Sequence, residues 1–335
     1  MSYLNQQEPT EVIVVGGAGF IGRPLARQLS EAGVRVSIVD RNEPRDIGIP
    51  WYSCDLLDTD GLARHLEGAD VVVNLVATHG AEARPRQEYD ALNIGGAHSV
   101  CAASHRAGVR RIVFTSSAAV YGHFDNPSES SACRPSGGYG ESKRDAEAIY
   151  RSWRDESPER ELAVVRPTVV FGQNGDGAGH RLLAQAVARR GVLVAGSRSM
   201  KSLAFVENLA AFLTFVALRP ARDQLFNYSD TPDLTLDEIY RIVRTEIGLP
   251  PAHSVSRLGA MAAFARASLS RRLRGSPRAD SPALRARRAS REIRFDATAA
   301  HATEFQQPHD LRTALAEVAR FEFGWISILP EEQRP

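Results

Sequence analysis

The chain has 335 residues, 43% of them hydrophobic, and carries 41 lysines and arginines against 40 aspartates and glutamates. It can bury a large core as one big domain or two lobes, and its balanced charge gives no reason to expect a nucleic-acid or membrane partner. Cys54, Cys101 and Cys133 form no pair motif, which predicts neither disulfides nor a metal site. No signal peptide or bilayer-spanning run is expected. We therefore expect a cytoplasmic protein.

Short β-branched runs alternate with helical patterns through the first half of the chain. This alternation predicts strand-helix-strand units and an α/β fold with a doubly wound parallel sheet. Strands are predicted at 11–15, 35–39, 71–76, 111–115 and 162–166, and helices at 21–32, 60–66, 89–107 and 139–155. Gly33 and Gly108 follow two of these helices, where a left-handed C-terminal cap is favoured.

A glycine-rich loop over 16–22 follows the first predicted strand. Gly16, Gly19 and Gly22 would allow a tight turn, a close approach of the backbone to a pyrophosphate, and close packing of helix on sheet. Because a strand precedes this loop and a helix follows it, the loop predicts a dinucleotide site and not a ligand-free turn.

Asp40 ends the second predicted strand. A carboxylate there can accept hydrogen bonds from an adenosine ribose and would repel a 2′-phosphate, which favours NAD over NADP. Arg41 keeps NADP possible, because its guanidinium could hold that phosphate. Asp55 and Leu56 could contact the adenine, and a simple turn carboxylate is the alternative role for Asp55.

Tyr139 and Lys143 lie four residues apart in a predicted helix, so the phenol and the ammonium project from one face. A nearby positive charge lowers the pKa of a tyrosine and makes it a usable base. This spacing is common by chance. The glycine loop and the hydroxyl residues at 115–117 add weight to it, and together these features predict hydride chemistry at a carbinol.

The second half of the chain is less regular and begins with turn formers at 172–179. Helices are predicted at 180–190, 207–218 and 235–247, with a short strand near Val192. Thr235 and Glu238 predict a capping box. Segment 266–294 holds ten arginines and two acids, which predicts either a solvated surface segment or a lid that carries arginines to a phosphate ligand.

Taken together, the motifs resemble the extended short-chain dehydrogenase/reductases, and most of all the NAD-dependent epimerase/dehydratase group that acts on nucleotide sugars. The resemblance covers nearly the whole chain. The segments that carry it are 16–22, 74–77, Asn93, 115–122, 139–143, 166–172, 201–208 and 226–228. It implies a dinucleotide-binding domain over 10–172 plus about 202–228. A smaller, discontinuous substrate-binding lobe over about 173–201 plus 229–330 is expected to close over the substrate.

Position by position, the resemblance implies that Ser117 is the catalytic hydroxyl residue, Tyr139 the acid/base and Lys143 the lysine that holds the nicotinamide ribose. Ser116 is the alternative if the register is off by one, and a capped strand end is the alternative role of Ser117. The other expected cofactor contacts are Gly16, Gly19, Phe20, Ile21, Gly22, Asp40, Arg41, Asp55, Leu56, Val76, Ala77 and Pro167. The expected substrate contacts are Ser117, Tyr139, His79, Val169 and Lys201.

Several positions qualify this resemblance. Ala118 and Ala119 stand where the dehydratase branch usually has an Asp-Glu pair, and methyl groups cannot transfer protons, so dehydration is disfavoured. Val169 and Lys201 stand where galactose-type epimerases often have Asn and Arg, which leaves the sugar open. A loop histidine such as His79 is more often solvated than part of a site. Asn93 is expected to tie backbone near the site, and Tyr121 to pack against the substrate cleft.

The function that the resemblance implies is C4 epimerisation of a nucleotide sugar through a 4-keto intermediate. A 4-ketosugar reductase that exchanges its cofactor is the alternative, since Ser117, Tyr139 and Lys143 would serve both reactions. A non-catalytic NAD(P)-binding regulator is a further alternative. The presence of all three of these residues argues against it. By analogy with the family, a homodimer through the helix at 89–107 is expected.

Overall fold

The computed structural model describes residues 11–45, 47–79, 84–123, 125–188, 192–194, 199–219, 221–255 and 292–329. Two compact units are present. The first comprises Met1–Val170, Ala204–Ser229 and Phe295–His309, and the second comprises Phe171–Leu203, Asp230–Arg294 and Asp310–Pro335. We expected residues 295–309 in the second unit. They belong to the first because the Phe305 ring packs on the rings of Phe212 and Tyr228.

Strands and helices alternate along the first half, as predicted. The strands are β1 (Glu11–Val15), β2 (Arg35–Asp40), β3 (Trp51–Ser53), β4 (Val71–Asn74), β5 (Arg111–Thr115), β6 (Glu161–Pro167), β7 (Val169–Phe171), β8 (Val192–Val194), β9 (Met200–Lys201), β10 (Leu203–Phe205), β11 (Asp223–Tyr228), β12 (Leu234–Thr235) and β13 (His253–Val255). The helices are α1 (Gly22–Glu31), α2 (Thr59–His65), α3 (Arg86–Ala107), α4 (Gly138–Asp155), α5 (Ala178–Val187), α6 (Val206–Leu218), α7 (Leu236–Glu246), α8 (Thr298–His301) and α9 (Leu311–Phe323), with single 3-10 turns η1 (Ala118–Tyr121) and η2 (Gly324–Ile328).

A seven-stranded sheet forms the centre of the first unit, in the order β11-β6-β5-β4-β1-β2-β3. Every neighbouring pair in this sheet is parallel. The predicted doubly wound α/β fold is therefore confirmed. The sequence patterns did not predict β3 or β11. Both are edge strands whose residues are mostly exposed or half-buried, so they lack the continuous apolar runs of the inner strands.

Helices cover both faces of this sheet because successive strand residues point to opposite sides. Val12 and Val14 of β1 join the core under α1 and α6. Ile13 and Val15 join the core under α2, α3 and α4. Two predicted helix ends are also confirmed, since Gly33 and Gly108 have φ values of 82° and 71°.

In its described residues, the second unit contains α5, α7 and α9 with two short strand pairings, β9 with β12 and β8 with β13. Its helix α7 begins with the predicted capping box, in which Thr235 and Glu238 bond each other's backbone N–H groups. Most of the arginine-rich segment, residues 266–291, lies outside the described residues. In the described part of the chain, no helix combines the length and the hydrophobicity needed to span a bilayer.

Candidate active site

The predicted site residues of the first unit follow the carboxyl ends of neighbouring parallel strands. The glycine loop follows β1, Asp40 ends β2, Val76 and Ala77 follow β4, and Ser117 follows β5. Because parallel strands end at the same edge of a sheet, these residues share one edge, where ligands of open α/β sheets bind. Pro167, which is buried, ends β6 at this same edge.

The glycine loop is shaped by close backbone packing. Gly16 has a φ of 86°, and a Cβ placed there would lie 2.8 Å from Cγ2 of Val76. A Cβ on Gly22 would overlap the Gly16 carbonyl oxygen and the Gly17 backbone. Gly19 is exposed on the outer side of the loop. The loop thus leaves its backbone accessible, as a dinucleotide site requires.

Helix α1 starts directly behind this loop without a side-chain cap. Its N-cap residue is Ile21, no side chain bonds the first N–H groups, and the first turn holds no acidic residue. In the described part of the chain, neither a capping side chain nor an acid of the first turn compensates the partial positive charge of this helix N-terminus, which suits an anionic diphosphate. Phe20 and Ile21 are half-buried in the turn that leads to it.

Asp40 links the end of β2 to the glycine loop. Its Oδ2 accepts a hydrogen bond from the N–H of Ala18 at 3.1 Å, and its Oδ1 accepts one from Asn42 at 2.9 Å. Each carboxylate oxygen has a further lone pair for a ribose hydroxyl. Arg41 is exposed directly beside it.

Asp55 and Leu56 occupy a turn after β3. The Oδ1 atom of Asp55 accepts from the N–H of Leu57 at 2.9 Å, which is the turn role that we weighed as an alternative. Leu56 is buried in the core, where its side chain lies against Gly96 of α3. The Asp55 carboxylate is exposed.

Ser117 and Tyr139 are brought together by the tertiary structure. Ser117 caps η1, with its Oγ accepting from the N–H of Ala119 at 3.2 Å. Tyr139 lies in the first turn of α4, and its phenol is close enough to the Ser117 side chain to interact with it. The Tyr139 ring also packs on the Tyr89 ring, with centroids 6.0 Å apart. Ser117 thus has its capping role and also meets Tyr139.

Lys143 is buried one turn along α4. Its ammonium donates to the carbonyl oxygen of Thr115 at 2.7 Å and lies 4.5 Å from the centroid of the Phe114 ring. Burial lowers the pKa of Lys143 to about 7, while the carboxylate of Glu147 opposes that shift. Burial likewise raises the pKa of the Tyr139 phenol, against the smaller effect of the Ser117 hydrogen bond.

These shifts correct one expectation. We predicted that the Lys143 ammonium would lower the pKa of Tyr139, and in the structure that pKa is raised. The physical reason is that the packing that places the two side chains together also removes them from water, which disfavours both charged forms.

Ser116 does not take the place of Ser117. It is buried, and its hydroxyl donates to Oε1 of Glu147 at 2.6 Å. Glu147 was not among the predicted site residues, because a single glutamate on a long helix gives no sequence signal. Arg166, which belongs to a family motif, donates to the same carboxylate from β6 at 2.6 and 2.8 Å.

The segment after β4 is held from α3. The side-chain oxygen of Asn93 accepts from the N–H of Thr78 at 2.8 Å, and its amide donates to the Thr78 carbonyl oxygen at 3.2 Å and to Ser142 of α4 at 2.8 Å. This confirms the expected backbone tie by Asn93. His79, the next residue, is exposed, while Ala77 is half-buried.

The remaining predicted residues lie on other elements. Val169 is half-buried in the first unit, directly after β6, and Lys201 is buried in β9 of the second unit, which pairs with β12. Tyr121 does not line a cleft as expected. It is fully buried, and its hydroxyl is bonded to Arg166 at 2.6 Å and to Asn227 at 2.7 Å, because these polar groups would otherwise be unpaired in the core.

Comparison with known proteins identifies the family of this site. The sequence profile of the NAD dependent epimerase/dehydratase family matches residues 12–227, which hold the glycine loop, Ser117, Tyr139 and Lys143. The chain belongs to this family. Membership confirms NAD as the cofactor and makes the protein an NAD-dependent enzyme of epimerase or oxidoreductase type.

Relatives within the epimerase/dehydratase family differ in their reactions. The N-acetyl-alpha-D-glucosaminyl-diphospho-ditrans,octacis-undecaprenol 4-epimerase of Escherichia coli O157:H7 is 31% identical over 317 residues, covering 93% of this chain and 95% of the relative. The 2-alkyl-3-oxoalkanoate reductase of Stenotrophomonas maltophilia is 27% identical over 72% of this chain and 76% of its own. The solved UDP-N-acetylglucosamine 4-epimerase from Bacillus cereus shares the fold, with a TM-score of 0.71, 19% identity and coverage of 92% and 98%.

Proposed function

We propose that this protein is an NAD-dependent epimerase that inverts C4 of a nucleotide sugar through a 4-keto intermediate. The proposal rests on the interaction of the Ser117 and Tyr139 side chains, with Lys143 one turn further along α4. The Escherichia coli relative, a 4-epimerase by name that aligns over nearly all of both chains, supports it.

Each residue has a defined task in this reaction. In its deprotonated phenolate form, Tyr139 accepts the proton of the C4 hydroxyl while Ser117 hydrogen-bonds the same oxygen, so that the C4–O bond becomes a carbonyl. NAD⁺, when bound, supplies the acceptor for the hydride that leaves C4. In the return step Tyr139 gives the proton back to the carbonyl oxygen as hydride returns to the opposite face of C4. The sugar is inverted with no net oxidation.

The residues after Ser117 favour epimerisation over dehydration. Ala118 is buried and Ala119 is half-buried, and neither methyl group can donate or accept a proton. Expulsion of water from the sugar needs an acid and a base next to the ketone. We therefore propose that the reaction stops at oxidation and re-reduction of C4.

We propose that the sheet edge of the first unit holds the cofactor. The fit rests on the open glycine loop and the uncapped start of α1 for the diphosphate, and on Asp40 for the adenosine ribose. Lys143 would hold the nicotinamide ribose. The further contacts that we propose are Phe20, Ile21, Arg41, Asp55, Leu56, Val76, Ala77 and Pro167.

Substrate binding is the role that we propose for the second unit, with contacts from Lys201 and, in the first unit, from His79 and Val169. The Escherichia coli relative and the Bacillus cereus protein are both named for substrates in which N-acetylglucosamine is joined to a diphosphate. This chemistry makes N-acetylglucosaminyl diphosphates the first substrates to test. The homodimer through α3 stays a prediction.

A 4-ketosugar reductase is the second candidate. The specific observation in its favour is the reductase from Stenotrophomonas maltophilia among the relatives. Ser117, Tyr139 and Lys143 would protonate a ketone equally well when the cofactor arrives reduced. The two reactions differ in whether the cofactor is regenerated within one turnover.

The test incubates the purified protein with UDP-N-acetylglucosamine and, separately, with N-acetylglucosaminyl diphosphopolyprenol. We expect NAD to remain bound through purification, and the C4 epimers of one of these substrates to equilibrate without a lasting change in absorbance at the NADH wavelength. Product identity is measured by NMR of the sugar. Stoichiometric consumption of added NADH or NADPH with a 4-ketosugar would contradict epimerisation and establish the reductase.

A further inference from the structure

A fully buried carboxylate, that of Glu147, lies on α4 behind the candidate catalytic residues. It is one helical turn beyond Lys143 and about two turns beyond Tyr139. A charged group in a protein interior is costly unless ion pairs and hydrogen bonds compensate it. The partners that compensate Glu147 therefore show which parts of the molecule it joins.

Two of these partners come from other elements of the first unit. The hydroxyl of Ser116, directly after β5, donates to Oε1 at 2.6 Å. The guanidinium of Arg166 on β6 donates to Oε1 at 2.8 Å and to Oε2 at 2.6 Å, in the bidentate geometry that gives strong and directional pairing. A third partner, Arg151, lies on α4 itself and donates to Oε2 at 2.8 Å from a half-exposed position.

The Glu147–Arg166 ion pair is also hydrogen-bonded to the C-terminal end of the turn that carries Ser117. Arg166 donates from Nη1 to the hydroxyl of Tyr121 at 2.6 Å, and Tyr121 is the last residue of η1. The segment 116–121 is thus bonded at its start through Ser116 and at its end through Tyr121. Both bonds lead to the Glu147–Arg166 pair.

We propose that Glu147 is a positioning residue that holds Ser117 against Tyr139 and maintains the positive charge of Lys143. The proposal rests on the function proposed above, because it assigns Glu147 a task only through those three residues. Glu147 acts through its neighbours in this proposal and does not touch the substrate.

The effect of Glu147 on the charge of Lys143 follows from the groups around the Glu147 carboxylate. Facing its carboxylate are Lys143 and Arg151 of α4, Arg166 of β6 and the hydroxyl of Ser116. Arg166 in turn faces the Tyr121 hydroxyl and the Cys133 thiol. Glu147 is the acid whose charge opposes the effect of burial on Lys143. Removal of that charge leaves the Arg166 cation unbalanced, which disfavours the Lys143 ammonium further.

The composition of the chain provides a clean probe. Only two of its 335 residues are lysines, Lys143 and Lys201, so a protein labelled with [ε-¹³C]lysine has two side-chain signals. The variant Lys143→Arg assigns them. The pH dependence of the Lys143 signal then reports its charge in the free protein, without substrate or turnover.

The main test compares Glu147→Gln with Arg151→Gln, which changes another partner of the same carboxylate. We expect the Lys143 titration midpoint to fall by about one to two pH units in Glu147→Gln, the scale for charges one helical turn apart at an intermediate dielectric. It should not fall in Arg151→Gln, because that change removes a positive charge. An unchanged midpoint in folded Glu147→Gln would overturn the electrostatic role.

The positional part is tested with Ser116→Ala, which keeps the charge of Glu147 and removes the bond to the turn. We expect kcat to fall at least about 10-fold with KM changed less than about 3-fold, since a displaced Ser117 affects the chemical step more than binding. The Lys143 midpoint should stay within about 0.3 units of the wild-type value. A kcat within about two-fold of the wild type would overturn the positioning of Ser117.

Two further measurements separate the possible failures. Glu147→Asp keeps the charge if Glu147→Gln does not fold, and we expect its Lys143 midpoint to remain within about half a unit of the wild type. A midpoint as low as that predicted for Glu147→Gln would count against the proposal. If the wild-type protein turns over no sugar, the proposed epimerase function fails, whereas the lysine titration still decides the role of Glu147 toward Lys143.

Discussion

The two halves of the candidate site are built by different physical means. The glycine loop after β1 is shaped by the backbone, since a side chain at Gly16 or Gly22 would collide with neighbouring atoms. The group around Ser117, Tyr139 and Lys143 depends on its side chains: the buried Lys143 ammonium donates to the Thr115 carbonyl oxygen, and the half-buried Ser117 and Tyr139 side chains interact. The glycine loop depends on the absence of side-chain atoms, whereas the Ser117–Tyr139–Lys143 group depends on polar contacts of its side chains.

Because of this difference, we expect substitutions in the two regions to have different effects. Adding a methyl group to the loop forces the backbone to move, which damages cofactor binding and helix packing together. Removing one partner from the charged group leaves a buried polar atom unpaired while the backbone can stay in place. The loop is therefore sensitive to the size of a residue, and the charged group to its chemistry.

The largest effect is expected from Tyr139→Phe, which removes the transferable proton and leaves the ring on Tyr89. We expect kcat to fall by at least about 100-fold, the usual scale for a general acid/base. Stability and NAD content should be close to those of the wild type. Tyr52→Phe, at an exposed tyrosine of β3, is the matched control and should keep full activity. Undiminished turnover in Tyr139→Phe would refute the mechanism.

The next effect is expected from Gly22→Ala, which tests exclusion by size. The added Cβ meets the Gly16 carbonyl and the Gly17 backbone, so we expect a loss of about 1–3 kcal/mol in the free energy of unfolding. NAD affinity, measured by calorimetry, should fall at least about 10-fold. Gly177→Ala is the control, because φ is negative there and no atom lies within 4 Å of the added Cβ. If both variants weaken NAD equally, steric exclusion is not what shapes the loop.

The smallest effect is expected from Asp40→Ala. Loss of the carboxylate should weaken NAD about 10-fold and NADP less, because the charge that repels a 2′-phosphate is also removed. The bonds from Ala18 and Asn42 are lost as well, at about 1 kcal/mol of stability. Binding titrations with both cofactors measure the ratio, and Glu43→Ala, at an exposed acid nearby, is the control. A greater loss for NADP than for NAD would reverse the cofactor preference.

Much of the fold was predictable because its signals are local. The inner strands β1, β2, β4, β5 and β6 are apolar runs, and the glycine caps and the capping box of α7 are short motifs. The strand predicted over 71–76 ends earlier, at Asn74. Its side-chain oxygen accepts from the N–H of Val76 at 3.0 Å and turns the chain. The edge strands β3 and β11 were missed because the neighbouring strand, more than their own residues, places them in the sheet.

The candidate site likewise has features that local sequence patterns predict and features that they do not. Spacing and family motifs by themselves determined the glycine loop, Asp40 at the end of β2, and the pair Tyr139 and Lys143. Only the tertiary structure decided that Ser117 and not Ser116 meets the phenol, and that burial raises the Tyr139 pKa. The reason is that a sequence pattern specifies which residues share a helix face or a strand end, whereas solvent exclusion and pairing with Glu147 depend on segments that are distant in the chain.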